Sequence, residues 1–419
     1  MVIMLWLVFL FSLALAILAE RNFRLALGFF ICLLPTYLIR FNIGPLPTTL
    51  LEVSFGVIFL VWLVKYSKAD WQKMAETIKL YKYFFIFLFV FFLASVIGIL
   101  ASDMWWASLG QWRAYFLEPI LFFFVLLGRR EELKKNDIIW YLFLSSLSIS
   151  LVAIIQRITG QLYPPSLWDD QLFGRATSFF TTPNAIGLYL GPIVILAAYL
   201  ITTYFKVRKP FFHHKEVAIF LLLSATVLLS LTAVFFSFSQ GAWIALGAGM
   251  IYFLYSVGYK KVAWIVVLAS VGAALIAPQI RSAVFFQDQA GQNRLTLWQH
   301  TKDYLLQSPQ NFIFGAGIRQ YFRKVEKPYY NPQELERLIY PHNIFLNFWT
   351  ETGLLGMVGF IGLLIYGFYE AWQKRKEDKM LAASVMAALV VILVHGLVDV
   401  PYFKNDLSFL FWIIMILIF

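Results

Sequence analysis

The residues of this chain that could do acid–base or anion chemistry are few, and they stand inside or at the edges of long apolar runs. Glu52 follows Thr48-Thr49-Leu50-Leu51, and Arg113 and Glu118 share a later run. Arg175 precedes Phe179, Phe180 and Pro183-Asn184, and Ser239-Gln240 forms a short polar break between two runs. His342 and Asn343 open another run, with Glu351 about two helical turns further on, and His395 and Asp399 close the next. An ionisable group beside hydrocarbon is costly to keep, so each is a functional candidate by default. Their types limit the chemistry. An imidazole, with an ordinary pKa of about 6.5, exchanges protons near neutrality and suits a general base. Guanidinium groups stay charged and grip phosphate-like oxygens two at a time. Carboxylates and amides orient such groups. Each residue also has a plainer use: a membrane-edge Arg snorkels, a His or Asp caps a helix, and a buried Glu serves as an acceptor between helices. The single cysteine, Cys32, excludes an internal disulfide framework and a cysteine-based metal site.

The elements that must position these groups are membrane helices. Of 419 residues, 61% are hydrophobic and 14% charged, against about 25% charged in a soluble protein. So few polar side chains cannot cover a water-facing surface. A transmembrane helix needs roughly 20 apolar residues. Candidate spans lie near 2–19, 25–39, 46–64, 83–101, 110–127, 138–156, 183–204, 217–236, 241–258, 262–278, 343–369, 380–399 and 407–419. The expected fold is an all-α polytopic membrane protein of about 12–13 transmembrane helices. It divides into an N-terminal bundle over 1–278, a long structured extracytoplasmic loop over 279–342 and C-terminal helices over 343–419. The first Lys or Arg is Arg21, after the run 2–19, so that run reads as a retained span and not a cleaved signal.

Charge distribution sets the orientation. Alternate connections hold most of the 34 Lys and Arg: Arg21 and Arg24; Lys65, Lys68, Lys73, Lys79 and Lys82; Arg129, Arg130, Lys134 and Lys135; Lys206, Arg208, Lys209 and Lys215; Lys260 and Lys261; Lys374, Arg375, Lys376 and Lys379. By the positive-inside rule these are cytoplasmic. Outside the long loop, the opposite side holds Arg40, Arg113, Arg157, Arg175 and Lys404. The net charge of +11 therefore reports topology, and no nucleic-acid partner is expected. The chemistry-capable residues fall at the outer leaflet boundary, with Glu52, Glu118 and Glu351 in the outward halves of their spans. In the loop, 292–307 reads as an amphipathic helix with Leu295, Trp298 and Leu305 on one side, ended by Ser308-Pro309. A second short helix is expected from Asn331, an N-cap, with Pro332 and Glu334 in its first turn.

The segment around His342 reads Tyr340-Pro341-His342-Asn343, nine residues, then Gly353-Leu-Leu-Gly356. This resembles the His-Asn-x9-Gly-x-x-Gly signature of the O-antigen ligase and polymerase family. Arg294-Leu-Thr-Leu-Trp298, Ser308-Pro309 and Gly315-Ala-Gly317 are similar to the family's stretch before that signature. Gly174-Arg175 with Thr182-Pro183-Asn184 is similar to an earlier family segment, and His395-Gly-Leu-Val-Asp399-Val-Pro401 to a later one. The resemblance covers roughly 170–405. One departure stands out: the family commonly carries Ser-Arg-Gly-Ala where this chain has Ser239-Gln240-Gly241-Ala242.

The resemblance implies a glycosyltransferase of the bacterial inner membrane, active on its extracytoplasmic face. It implies a polyprenyl (undecaprenyl) diphosphate-linked glycan donor, a glycan or lipid acceptor and surrounding membrane lipid. Such a donor is already activated. The protein must hold the diphosphate with cations, orient an acceptor hydroxyl behind the anomeric carbon and take its proton. His342 is the expected base. Arg175 and Arg294 are the first choices for the diphosphate, with Arg319, Arg281 and Arg113 behind them. Asn343, Glu351, Gln240, Asn184, His395, Asp399, Glu52 and Glu118 are candidates to support these groups or orient the acceptor. Attack opposite the diphosphate inverts the anomeric centre, and this chemistry calls for no cofactor and no metal. A ligase and a polymerase share these requirements, and a protein acceptor stays open. A transporter of lipid-linked sugars would instead favour broken helices in two related halves, and a structural envelope protein would need none of these side chains.

Overall fold

The computed structural model describes residues 2–44, 46–163, 174–207, 214–276, 278–330 and 338–419. Among these the chain is helical nearly throughout, with a two-stranded antiparallel hairpin pairing Arg40–Ile43 with Leu46–Thr49. Eight helices are long and apolar enough to cross a membrane, or up to nine if a bent pair counts as one span. The protein is an all-α polytopic membrane protein.

Several of the expected apolar runs are divided. The run 25–39 becomes Phe23–Cys32 followed by a 3-10 turn, Leu34–Leu38, with Pro35 at its start. The run 46–64 begins as a strand, and its helix Leu50–Lys65 bends by 92° into the polar Ser67–Leu80. The run 110–127 is split by a π-helical turn, Arg113–Leu117, lying in sequence between Trp105–Trp112 and Glu118–Gly128. The last run holds only Asn405–Ile416, buried all round. A helix enclosed by protein can be as apolar as one facing lipid.

The chain forms two compact units, one of 1–80, 118–239 and 404–419, the other of 81–117 and 240–403. In the first, Phe30, Phe55, Phe122 and Phe409 cluster with ring centroids 4.5–6.5 Å apart. Lipid tails are as apolar as these rings, so close packing and not burial alone holds such helices together. Thr49 and Glu52 form a reciprocal cap on Leu50–Lys65. The Glu52 carboxylate also accepts from Thr48 Oγ1 at 2.8 Å and Asn405 Nδ2 at 3.0 Å. It is a buried acceptor that fixes helix starts. The 92° bend is braced by Asp70, which accepts from Trp62 Nε1 at 2.9 Å and pairs with Arg129 at 3.3 Å.

In the second unit, Lys82–Leu100 packs along Ile344–Lys374. Gly359 allows this approach, since a Cβ there would meet the Phe91 backbone at 2.9 Å. Gln240–Val257 lies along Lys379–Gly396. The connection 279–342 is built of Pro278–Val284, Gln289–Leu306, Pro309–Phe314, a π-helical turn Tyr321–Glu326 and a 3-10 turn Lys327–Tyr329. The expected amphipathic helix starts earlier than 292, where Asp288 caps it by accepting from Gly291 N. Its buried stripe is Leu297, Thr301 and Leu305, while Leu295 is exposed. Two residues on a helix stand about 200° apart, so Leu295 and Leu297 cannot share a face. Ser308 also caps the next helix, accepting from Asn311 N at 3.1 Å, with Pro309 in its first turn. The helix expected from Asn331 lies outside the described residues.

Candidate active site

Asn343 caps Ile344–Lys374, accepting from the N–H groups of Phe345 and Leu346 at 3.1 Å each. Its Nδ2 donates to Leu397 O at 3.2 Å. The amide is thus spent on placing the helix start beside the end of Lys379–Gly396. Ten residues on, the helix breaks at Gly353, where φ is 72° and ψ 177°. A side chain there would be strained and would run into Ile313 O. The loop fills the break. Thr350 O accepts from Ala316 N at 2.6 Å and Gly317 N at 3.1 Å, and Trp349 Nε1 donates to Phe312 O at 2.7 Å. The His-Asn-x9-Gly-x-x-Gly spacing is therefore a cap, a half-helix and a break.

His342 precedes the cap with φ +48°, a left-handed conformation that costs a non-glycine residue about 1 kcal/mol or more and persists only where its surroundings impose it. Those surroundings are specific. Trp298 Nε1 donates to Pro341 O at 2.9 Å, and Arg294 Nε donates to Val398 O at 2.9 Å. Arg294 and Trp298 are one turn apart on Gln289–Leu306. One helix face thus grips both segments that carry the polar groups. His342 Nδ1 stands 3.4 Å from Asp399 Oδ1, with side chains 25% and 8% exposed. The separation is longer than a good hydrogen bond, as is common for catalytic contacts before substrate binds. Asp399 also accepts from Val400 N at 2.9 Å. Burial pushes the Asp399 carboxyl up, but the His342 and His395 imidazoles and the Val400 N–H outweigh it and hold the group well below the usual carboxylate range. It remains an anion facing the imidazole. With Nδ1 turned to a carboxylate, Nε2 is left to take a proton. His395 is buried, and Gly241 approaches its ring so closely that a Cβ would come within 3.4 Å.

The other expected residues fall into separate places. Glu351 is buried and does not join His342 or Asn343. It accepts from Gln111 Nε2 at 3.0 Å. The Tyr340 hydroxyl bonds to Phe403 O at 3.4 Å and interacts with Tyr115 and Glu351. Arg113 opens the π-helical turn, Arg281 is exposed on Pro278–Val284, and Gln240 is exposed at the start of Gln240–Val257. In the first unit, Arg175 donates from Nε to Ser237 O at 2.9 Å and from Nη2 to Asn184 Oδ1 at 3.2 Å. That joins the two pieces of the early segment and anchors Arg175 two residues before Ser239. Glu118 is buried at the start of Glu118–Gly128. Sequence reasoning missed Trp298 as a positioning group, together with Gln111 and the buried amide of Asn347. Asn343, Asn347 and Glu351 recur every four residues on one face of the half-helix, a spacing that could have flagged Asn347. Among the described residues no group of three or more His, Cys, Asp or Glu is placed to hold a metal ion.

Residues 225–361 match a family model described as O-antigen ligase. The match covers less than half of the chain, and in that segment the chain is similar to O-antigen ligases. The ligase-family match takes in Arg294, Trp298, the glycine loop, His342, Gly353 and Gly356, and ends before His395 and Asp399. No curated protein matches the chain.

Proposed function

We propose that the protein transfers a glycan from a polyprenyl diphosphate carrier to an acceptor hydroxyl at the extracytoplasmic face of a bacterial inner membrane, as a ligase. The observation that carries this reading is the His342–Asp399 pair beside Arg294, held by one loop helix. The acceptor O–H gives its proton to His342 Nε2 as its oxygen attacks the anomeric carbon from the face opposite the diphosphate. The bond from that carbon to the diphosphate oxygen breaks, the leaving group keeps the electron pair, and the centre inverts. The imidazolium that forms is stabilised by the buried Asp399 carboxylate. Arg294, half-buried with Nε fixed on Val398 O, keeps its terminal nitrogens for the diphosphate. Arg175 is a further candidate for holding a diphosphate by its segment's likeness to the family. The outward orientation rests on the positive-inside distribution of Lys and Arg.

A polymerase, extending the lipid-linked glycan itself, uses the same step with a different acceptor. The helix Ile344–Lys374 is broken as a transporter would favour, but its freed Thr350 carbonyl is taken up by the loop. Reconstitution into liposomes with a lipid-linked oligosaccharide and a lipid A-type acceptor separates the readings. A ligase glycosylates the added acceptor, a polymerase lengthens the carrier-bound chain, and a transporter moves the donor without a new glycosidic bond.

A further inference from the structure

Three helices of the first unit, Lys135–Thr159, Asn184–Val207 and His214–Phe236, pack on one another, and each contains a candidate membrane span. The ends of the first and third meet the start of the second. At that junction the buried Gln156 clasps the backbone that follows Arg175. Its Oε1 accepts from Thr177 N at 3.0 Å and Ser178 N at 2.7 Å, and its Nε2 donates to Ser178 O at 2.7 Å and Leu162 O at 2.9 Å. All four hydrogen-bonding positions of the amide are used. Ala176 N also donates to Phe236 O at 2.9 Å. With its backbone fixed, Arg175 is aimed by its own bonds to Ser237 O and Asn184 Oδ1. The residue after Gln156 is a second arginine. Arg157 stands in the last turn of its helix, where the dipole favours a cation. A membrane-edge anchor there would extend past the helix end into water. Instead its guanidinium lies over the Phe238 ring, Cζ 5.8 Å from the centroid, and against Gly174, where a Cβ would come within 3.0 Å of Nη1. Gly174 has φ +70° and Phe238 φ +47°, a conformation that a non-glycine residue keeps only where its surroundings impose it. Two guanidinium groups thus converge on the turn after Phe236, one bonded to Ser237 and one over Phe238. Among the described residues Arg157 makes no hydrogen bond and no ion pair, and its side chain is exposed. Its five N–H donors are unspent, and two like charges drawn to one turn repel unless they share an anion.

We propose that Arg157 and Arg175 form a two-guanidinium site for a lipid-borne diphosphate, with Phe238 positioning the first and Gln156 the second. Planar forks take phosphate oxygens two at a time, so a pair of them suits adjoining phosphates. The junction of three span ends lies at the level where a lipid presents its headgroup. The glycosyl-transfer reading names the lipid as the polyprenyl-linked donor, and the site itself does not depend on that reading.

The test is a mutant cycle on the full chain in phosphatidylcholine nanodiscs, with inorganic pyrophosphate as the probe, read by calorimetry. Arg157→Ala and Arg175→Ala should each weaken pyrophosphate about tenfold, the loss of one charge-assisted contact. The double variant should lose less than the product of the two, because both groups hold one anion. Arg157→Met keeps an apolar stem on Phe238 and should lose as much affinity as Arg157→Ala at an unchanged melting temperature, while Arg157→Lys should keep part of it. Phe238→Leu should weaken pyrophosphate severalfold and add nothing on an Arg157→Ala background. Farnesyl diphosphate should displace pyrophosphate with the same dependence on Arg157. Affinity unaltered by Arg157→Ala, losses that multiply in the double variant, or an Arg157→Met effect confined to melting would overturn the proposal. Displacement by phosphatidylglycerol built into the disc, with none by farnesyl diphosphate, would assign the pair to phospholipid headgroups and also overturn it. A cycle that holds in a protein forming no glycosidic bond would support the anion site and remove the reaction reading.

Discussion

Replacing Asp399 with Asn leaves the size of the side chain and removes the charge facing His342. The carboxylate matters most once the ring has taken up the acceptor's proton. Two unit charges 3.4 Å apart interact by about 5 kcal/mol at an effective dielectric of about 20. His342 is partly exposed and Asp399 also faces His395, so solvent and sharing reduce this to about 2–3 kcal/mol. Lost only in the transition state, that slows kcat roughly 30- to 150-fold with donor KM little changed. The assay is single-turnover transfer from a lipid-linked oligosaccharide, with a melting curve to show that the variant is folded. Asp399→Asn should add little on a His342→Ala background, because the carboxylate acts through the ring. A folded Asp399→Asn enzyme with normal turnover, or one whose defect multiplies that of His342→Ala, would refute the reasoning.

Asp399 also ties stability to pH. Its folded carboxyl lies below the unfolded value, so its contribution is complete above about pH 4 and is lost as pH falls through the folded value; wild type and Asp399→Asn should differ in melting temperature at neutral pH and converge in acid. Arg294→Lys keeps the charge but loses the Nε bond to Val398 O and the two-pronged grip, so donor KM should rise about tenfold, and an unchanged KM would remove Arg294 from the diphosphate. Glu52→Ala removes a reciprocal cap and the Asn405 tie; it should cost about 2–3 kcal/mol of stability with KM unchanged, measured by melting and initial rates. A Lys302→Cys variant should be labelled by an impermeant maleimide in intact cells, and a Glu132→Cys variant only after permeabilisation; the reverse pattern would invert the orientation.

Much of the fold was legible because its causes are local. The half-helix cap at Asn343 and the break at Gly353 depend on residues a few positions away, and so the signature carries its own geometry. The existence of membrane helices follows from composition. How the apolar runs divide was not legible, because a hydropathy window registers apolar content and not the bend after Lys65 or the enclosure of Asn405–Ile416. The partner of His342 was not legible either. Asn343 and Glu351 were the residues expected to orient it, yet one is spent on the cap and the other turns to Gln111. Asp399 reaches the ring only because Gly396 lets its helix end close on Ile344, where a Cβ would come within 2.7 Å. That approach is a property of packing, and nothing in the spacing between His342 and Asp399 announces it.

The most direct measurement is transfer by purified His342→Gln protein in liposomes loaded with lipid-linked oligosaccharide and acceptor, following release of the polyprenyl diphosphate and the anomeric configuration of the product. The wild type should release carrier and form an inverted glycosidic bond in equal amounts, while His342→Gln binds donor and forms none. Full transfer by the variant, or a product that retains the donor's configuration, would contradict a general base at His342 acting in one displacement.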